Sequence, residues 1–276
     1  MIKIDSHQHF WKYDPQKHSW ISDEMGVLKR DFLPGDLKIE LDKNDMDACV
    51  AVQADQSEDE TNFLVNLAKN NPFIKGVVGW VDLRSNQVEA SLEKFRNEPL
   101  IKGFRHVVQD EPDPDFMLGA AFQNGINALQ KYGYTYDILI YPQQLPATIS
   151  MVQKFQNQPF IIDHIAKPHI SSKSMDNWQS SIKKLGEFEH VYCKLSGMVT
   201  EAQWKTWKYE DFEPYLDVVF EAFKPERLVF GSDWPVCLLS AAYVDVKSII
   251  EQYIWKLSEY EQNKIMGLNA SHFYQL

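Results

Sequence analysis

The sequence predicts a single-domain α/β protein with the architecture of a (β/α)8 TIM barrel. Eight short apolar segments have strand character, and helical patterns separate most of them. Strands that alternate with helices favour a parallel sheet, and eight such units without a change of composition over 1–276 favour one closed barrel over two domains. An open doubly wound sheet is the alternative, but the sequence lacks the glycine-rich phosphate-binding motifs that often follow the first strand of such a sheet.

The predicted strands are short and rich in apolar residues. They lie at 2–10, 49–54, 76–83, 101–107, 136–141, 160–165, 191–197 and 228–234. In the first of them Ile2 and Ile4 alternate with charged residues, which is the period of a strand. Because residues two apart share a face of a strand, we expect Asp5, His7 and His9 on one side and the two isoleucines on the other.

The predicted helices follow the strands in order. They lie at 57–71, 88–97, 115–133, 145–156, 177–188 and 209–223, with two closing helices within 241–274. Ser57 and Glu60 have the spacing of a capping box, and Gly133 stands where a helix C-cap is expected. Two long loops, 10–38 and 109–116, follow the carboxyl ends of the first and fourth strands, where barrel enzymes place their active sites.

Composition is ordinary for a soluble globular enzyme, with 44% hydrophobic and 24% charged residues in 276. The net charge of −11 repels nucleic acid and anionic membranes, so neither is an expected partner. The sequence has no membrane-spanning run and no signal-peptide pattern, and a cytoplasmic protein is therefore expected. Cys49, Cys193 and Cys237 are far apart in apolar surroundings, which is typical of reduced, buried thiols.

Polar residues at the carboxyl ends of barrel strands meet in one bowl. The side chains at these strand ends are His7, His9, Arg105, His106, Asp163, His164, Lys194, Ser196 and Asp233. The two-residue period of a strand places Asp233 inward, on the same face as Gly231. It does not choose between Asp163 and His164 on the sixth strand, nor between Arg105 and His106 on the fourth.

Four of these residues form a nitrogen-rich donor set with one carboxylate: His7, His9, His164 and Asp233. Such a set suits one divalent metal ion, with zinc as the expected metal. Each residue alone has a simpler interpretation, since a single histidine is more often structural and an aspartate before Trp234-Pro235 is more often a loop cap. Their shared location at strand ends favours a catalytic bowl.

Four motifs in chain order resemble the amidohydrolase superfamily, and specifically its amidohydrolase 2 branch, which contains sugar lactonases. They are the H-x-H at 7–9, DHIAKP at 163–168, KLSG at 194–197 and GSDWP at 231–235. In addition, HFW at 9–11 and KGFRH at 102–106 are similar to sugar lactonases of the L-fuconolactonase and L-rhamnono-lactonase type.

This resemblance implies a hydrolase that opens a sugar-acid lactone by attack of water at the carbonyl. It implies that His7, His9 and His164 form the imidazole cluster, that Asp233 activates the water, and that Arg105 and His106 face the substrate. The full expected set is catalytic Asp233, His164 and His106, and substrate-binding Arg105, His106, Trp11, Lys194 and Trp234. Trp20 and Trp80 are further candidates for stacking on a sugar ring.

The fourth strand lacks the lysine or glutamate that bridges two metals in other members of the superfamily, so at most one ion is expected. Without an ion, the imidazoles themselves would polarise the lactone carbonyl. Two other functions stay open: a metal-dependent decarboxylase of a small aromatic acid, and a non-catalytic sugar-acid binding barrel. The expected partner is a small sugar lactone from carbohydrate metabolism, and the sequence leaves a homo-oligomer open.

Overall fold

The computed structural model describes residues 1–276, except for the side chain of Asp176. The described chain forms one eight-stranded parallel sheet in sequential order. The strands are β1 (Ile4–Gln8), β2 (Ala48–Val52), β3 (Ile74–Gly79), β4 (Ile101–Val107), β5 (Thr135–Leu139), β6 (Phe160–Ile162), β7 (Val191–Leu195) and β8 (Leu228–Phe230). A parallel bridge between Gln8 and Trp234 brings the end of β1 to the segment after β8 and closes the sheet. The predicted single-domain barrel is confirmed.

Helices follow the strands and cover the outside of the sheet. They are α1 (Pro34–Lys43), α2 (Glu58–Asn70), α3 (Val88–Phe95), α4 (Ala120–Tyr132), α5 (Leu145–Lys154), α6 (Asp176–Gly186), α7 (Met198–Glu201), α8 (Glu213–Phe223), α9 (Tyr243–Ile254), α10 (Glu259–Asn263) and α11 (Asn269–Tyr274). A π-helical turn over Lys264–Leu268 joins the last two helices. Each predicted helical segment contains a helix, and Gly133 ends α4 with a φ of 77° as expected.

The loop predicted over 10–38 ends earlier than expected. Helix α1 begins at Pro34 because proline fits the first helical turn, where its missing N–H is not needed. The predicted capping box of α2 is half formed. Ser57 accepts from the backbone N–H of Glu60, whereas the Glu60 carboxylate accepts from the backbone N–H groups of Ala54 and Asp55.

The expected division of faces on β1 is wrong for Ile4 and Asp5. Ile4 packs inside the barrel with apolar residues such as Val50 and Val229, whereas Asp5 bonds to the hydroxyl of Tyr243 on α9. The reason is an irregularity in the pairing of β1 with β2 between Asp5 and Gln8, which shifts the register and thus the face on which later residues point.

The barrel interior has an apolar lower layer and a charged upper layer. Ile4, Val78 and Ile161 belong to the lower layer, and α11 closes it from below with Tyr274. No helix among the described residues has both the length and the apolar character needed to cross a membrane. The charged layer lies toward the carboxyl ends of the strands and supports the site described next.

Candidate active site

A cavity of about 600 Å³ opens at the carboxyl ends of the strands. Its polar lining includes His9, Arg105, His164 and Asp233, each of them at most 5% exposed by side chain. The long loop after β1 contributes Trp20 to the mouth of the cavity. The predicted bowl therefore exists, and four of the predicted site residues line it.

His9 is held in a defined tautomer. Its Nδ1 lies 2.8 Å from the backbone oxygen of Val52, and a carbonyl oxygen can only accept, so the proton lies on Nδ1. The Nε2 lone pair of His9 therefore faces His7 Nε2 at 3.2 Å and Asp233 Oδ1 at 3.4 Å. This nitrogen is available as an acceptor or as a metal ligand.

His7 lies below His9, fully buried between charged groups. Lys194 Nζ lies 3.0 Å from its Nδ1, and Asp163 Oδ1 lies 3.3 Å from the same nitrogen. Its Nε2 lies 3.3 Å from Arg105 Nη1. Burial, followed by the positive charge of Lys194, holds the pKa of His7 well below its ordinary value, so the ring is neutral at neutral pH.

His164 reaches the cavity because the chain turns sharply after β6. The residues from His164 to Lys167 all have positive φ, between 46° and 59°. Gly197, also with positive φ at 65°, leaves room for the imidazole, since a Cβ there would lie 2.5 Å from its Cγ and Nδ1. His164 Nδ1 contacts Ser196 Oγ at 2.9 Å, and its Nε2 lies 3.8 Å from Asp233 Oδ1. Burial lowers the pKa of His164 well below its ordinary value.

Asp233 lies just after β8 in a left-handed conformation, with φ 57°. Buried Asp5 fixes this segment from below, because its carboxylate accepts from the backbone N–H and the hydroxyl of Ser232 at 2.9 and 2.6 Å. Burial acts to raise the pKa of Asp233, but the neighbouring His164 and His9 outweigh it, and the pKa lies below its ordinary value. Asp233 is therefore a carboxylate at neutral pH.

A buried network of charges supports the cluster. Arg105 Nη1 donates to Asp163 Oδ2 at 3.0 Å, while Lys194 Nζ contacts Asp137 Oδ2 at 2.5 Å and Asp163 Oδ1 at 2.9 Å. Tyr274 of α11 donates to the same Asp137 oxygen at 2.7 Å. Removal of one partner from such a network leaves a buried charge uncompensated, so the network fixes the position of His7 from below.

Both candidate residues at the end of the sixth strand, Asp163 and His164, therefore take part in the site. Asp163 belongs to the buried network, and His164 lines the cavity. On β4 the two-residue period separates the pair: Arg105 faces the cavity, whereas His106 faces the helices. His106 Nε2 bonds to Glu111 at 2.7 Å and its ring stacks on Phe116. His106 is not brought to the cluster.

The predicted aromatic residues divide in a similar way. Trp11 is buried, donates to the backbone oxygen of Arg30 at 2.9 Å and supports Trp20 with its ring at 5.9 Å. Trp234 is also buried and packs against Phe32. Trp20 is 37% exposed and lines the cavity, as predicted for a stacking residue. The described cavity lining also includes Trp204, which was not a candidate from the sequence.

Several residues of the site were not identified from the sequence as functional. Asp5 and Asp137 are buried carboxylates of the support, and Lys167 and Glu201 line the cavity wall. The signal for Asp137 was present in the sequence, since a charged residue in the middle of the apolar segment 136–141 must find a buried partner. Glu201 had no such signal, because it lies on the short helix α7.

The donor set of the cluster fits one divalent ion. Nitrogen and oxygen ligands of His7, His164 and Asp233 lie within 4.8 Å of one another. A tetrahedral zinc site with bonds of about 2.05 Å has ligand atoms about 3.3 Å apart, and the contacts from His9 Nε2 to His7 and Asp233 are 3.2 and 3.4 Å. Ligation by His7 Nε2 requires the proton on Nδ1, where Asp163 Oδ1 can accept it.

Comparison with known proteins gives consistent relatives. A family model described as Amidohydrolase matches residues 4–276. An L-fucono-1,5-lactonase of Burkholderia multivorans (strain ATCC 17616 / 249) is 40% identical over 286 residues, which cover 100% of this chain and 96% of that protein. A second L-fucono-1,5-lactonase, from a strain of Burkholderia ambifaria, is 32% identical over 282 residues, with 100% and 96% coverage.

A solved structure agrees with these relatives. The crystal structure of an amidohydrolase from Burkholderia multivorans with bound Zn superposes with a TM-score of 0.96 at 39% identity, and the match covers 100% of both chains.

Proposed function

This chain belongs to the amidohydrolase family, and from that premise we propose that it is a hydrolase that opens a neutral sugar-acid lactone by attack of water at the carbonyl. The observation that carries the proposal is the convergence of the Asp233 carboxylate with three imidazoles at the floor of one cavity. Two full-length relatives that are L-fucono-1,5-lactonases support the lactone class. We infer that 1–276 act as one amidohydrolase-type domain.

Asp233 is the proposed general base. Its contacts to the imidazole nitrogens of His7, His9 and His164 are 3.4 to 3.9 Å, longer than normal hydrogen bonds, so its lone pairs can accept a proton from water. The lowered pKa keeps this carboxylate ionised. After the attack, protonated Asp233 can return the proton to the ring oxygen as the ring C–O bond breaks, and the products are a hydroxyl group and a carboxylic acid, which releases its proton to solvent.

The negative charge that develops on the carbonyl oxygen needs a stabilising group. Arg105 is the proposed cation, since it lines the cavity and is fixed by Asp163 and by the backbone oxygen of Gln53. The imidazole of His164 is the proposed neutral hydrogen-bonding group, because it lines the cavity and burial lowers its pKa.

One divalent ion, with zinc as the proposed metal, would be held by His7, His9, His164 and Asp233. When bound, such an ion supplies Lewis-acid polarisation of the carbonyl and lowers the pKa of a water ligand. With such an ion bound, Asp163 would accept the Nδ1 proton of His7, and the Val52 carbonyl would orient His9.

The charges of the cavity favour a neutral substrate. Asp163 balances the charge of Arg105 and Glu201 balances that of Lys167, so neither cation leaves positive charge unbalanced for a second carboxylate of the substrate. Lys17 lies on an exposed part of the cavity lining. A multiply charged lactone would therefore bring uncompensated negative charge toward Asp233, which is unfavourable in a buried site.

The remaining predicted residues act indirectly in this proposal. Lys194 positions His7, Trp11 supports Trp20, and the backbone oxygen of Trp234 accepts from the backbone N–H of His9 at 2.7 Å. The position of His106 gives no support for a direct role in catalysis or substrate binding. Trp20 is the proposed stacking surface for the sugar ring.

A pH-stat assay over a panel of lactones tests the proposal. The panel contains neutral aldono-1,4- and 1,5-lactones, L-fucono-1,5-lactone among them, and a lactone with two additional carboxylates. We expect acid release above the uncatalysed rate with a neutral aldonolactone. Faster turnover of the dicarboxylate lactone, or no turnover of any neutral one, would contradict the proposal.

A further inference from the structure

A second charged pair, separate from the histidine cluster, lies in the wall of the cavity. Lys167 Nζ and Glu201 Oε1 are 3.7 Å apart, and their side chains are 16% and 18% exposed. Both residues line the cavity. The separation exceeds a normal hydrogen bond, so the pair leaves donors of Lys167 and acceptors of Glu201 available to a ligand.

The backbone presents Lys167 to the cavity. It is the last of the four consecutive residues with positive φ after β6, a conformation that costs energy for residues other than glycine. The same turn presents His164, so one strained segment places a catalytic-site imidazole and a cation on the same side. Strain of this kind is concentrated at functional sites. Lys167 Nζ also lies 5.3 Å from the ring centre of Tyr141, another residue of the cavity wall, and this cation–π contact helps to position the lysine.

Glu201 ends α7 on the neighbouring wall. Burial raises the pKa of Glu201, and the charge of Asp233 acts in the same direction. Lys167 in turn acts to lower the pKa of Asp233. Lys167, Glu201 and Asp233 line the same cavity, so the pair lies in the wall of the cavity that holds the carboxylate of the proposed reaction, where the ring of a bound lactone would carry its substituents.

We propose that Lys167 and Glu201 form a recognition site for two adjacent hydroxyl groups of the lactone ring. A hydroxyl group can donate and accept, so one hydroxyl can accept from Lys167 while its neighbour donates to Glu201. An anionic substituent would be repelled by Glu201 and a cationic one by Lys167. The inference rests on the proposed lactonase function and adds to it the requirement for a polyhydroxylated ring.

The experiment compares two lactones that differ in these hydroxyl groups. Steady-state kinetics are measured for L-fucono-1,5-lactone and for δ-valerolactone, whose ring carries no hydroxyl, on the parent protein, Glu201→Gln and Lys167→Met. We expect each substitution to reduce kcat/KM for the hydroxylated lactone by about 10- to 100-fold, the size of a lost hydrogen bond to a charged group. The value for δ-valerolactone should stay within about threefold of the parent.

Lys173→Met is the matched control. Lys173 also has a positive φ, at 55°, and pairs with an acid, Asp211 at 3.0 Å, but it is not part of the described cavity lining. This variant should leave both lactones unaffected. An equal loss on both lactones in Glu201→Gln and Lys167→Met, or an unchanged value for the hydroxylated lactone, would overturn the inference.

A binding measurement separates this inference from the proposed function. Calorimetric titration uses L-fucose, whose ring carries hydroxyl groups but no ester. If the parent protein hydrolyses neither lactone, the lactonase proposal fails. The hydroxyl site is then supported by L-fucose binding that weakens at least tenfold in Glu201→Gln, and is overturned by binding that is absent or equal in the two proteins.

Discussion

Replacement of Gly197 by alanine should remove activity by displacing His164. A Cβ at position 197 would lie 2.5 Å from the Cγ and Nδ1 of His164, and the backbone there has a φ of 65°. Gly133 provides a matched control, because its φ is 77° and a Cβ there would meet nothing within 4 Å. The two substitutions therefore share the backbone cost and differ in the contact with the imidazole.

The expected magnitudes follow from this difference. An alanine in the left-handed region costs about 1–2 kcal/mol, so Gly133→Ala should lower the free energy of unfolding by about that amount and leave kcat unchanged. In Gly197→Ala the contact must open by about 1 Å to reach a normal carbon–carbon distance of about 3.5 Å. A displacement of about 1 Å at a reacting group costs about 10²-fold in rate, and any residual overlap costs a further 1–3 kcal/mol of stability.

Urea unfolding and pH-stat hydrolysis of the best lactone, run on both variants, measure these effects. If Gly197→Ala hydrolyses the lactone within about threefold of Gly133→Ala and is equally stable, His164 is not held in a reactive geometry by Gly197. The assignment of His164 to the catalytic cluster would then lose its structural basis.

Three further perturbations have defined outcomes. Burial raises the pKa of Glu60 from 4.5 to about 7, so its ionisation opposes folding, and stability should fall by up to about 3 kcal/mol as the pH rises from below 4.5 to above 7. Glu60→Gln keeps the oxygen that accepts from Ala54 and Asp55. In urea unfolding at pH 4 and pH 8 it should make the decline smaller by about this amount, while Asp5 and Asp137, whose pKa values burial raises to about 6, still contribute. A decline equal to that of the parent protein would refute the role of Glu60. His106→Gln should keep kcat/KM within about threefold of the parent value, since His106 contacts Glu111 outside the cavity. A 100-fold loss would show that His106 belongs to the active site. Elemental analysis should find at most one divalent ion per chain, lost together with activity on chelation if the ion is required, and two ions would contradict the donor set.

The fold was predictable because each strand of a parallel barrel is buried on both faces and therefore appears as an apolar segment with helices between. All eight predicted strands are present, but several end earlier than predicted. The sixth ends at Ile162 because the backbone from His164 onward turns left-handed, a conformation that hydrophobicity does not report. Helix α1 was missed because its sequence, PGDLKIELDK, begins with proline and glycine and follows a long aromatic loop.

The floor of the site was also predictable, since polar residues at strand ends converge in a barrel. The face of the strand on which each polar side chain lies was not predictable. On β1 an irregular register moved Asp5 away from the histidines, and on β4 the sequence could not separate Arg105 from His106 because apolar residues occupy both faces of the strand. Lys167 and Glu201 lie outside the strands, so the two-residue period of a strand could not predict the direction of their side chains.

The central claim is that Asp233 is the general base of a lactone hydrolase. Its direct test is the pH-stat rate of Asp233→Asn on the best neutral aldonolactone, with the fold checked by circular dichroism and metal content measured on the same preparation. Asparagine keeps the shape of the side chain but cannot take the proton. We expect kcat to fall by about 10²- to 10⁴-fold while the fold and metal content are retained. A folded variant with unchanged metal content that opens the lactone within a few-fold of the parent rate would show that Asp233 is not the base and that the proposed mechanism is wrong.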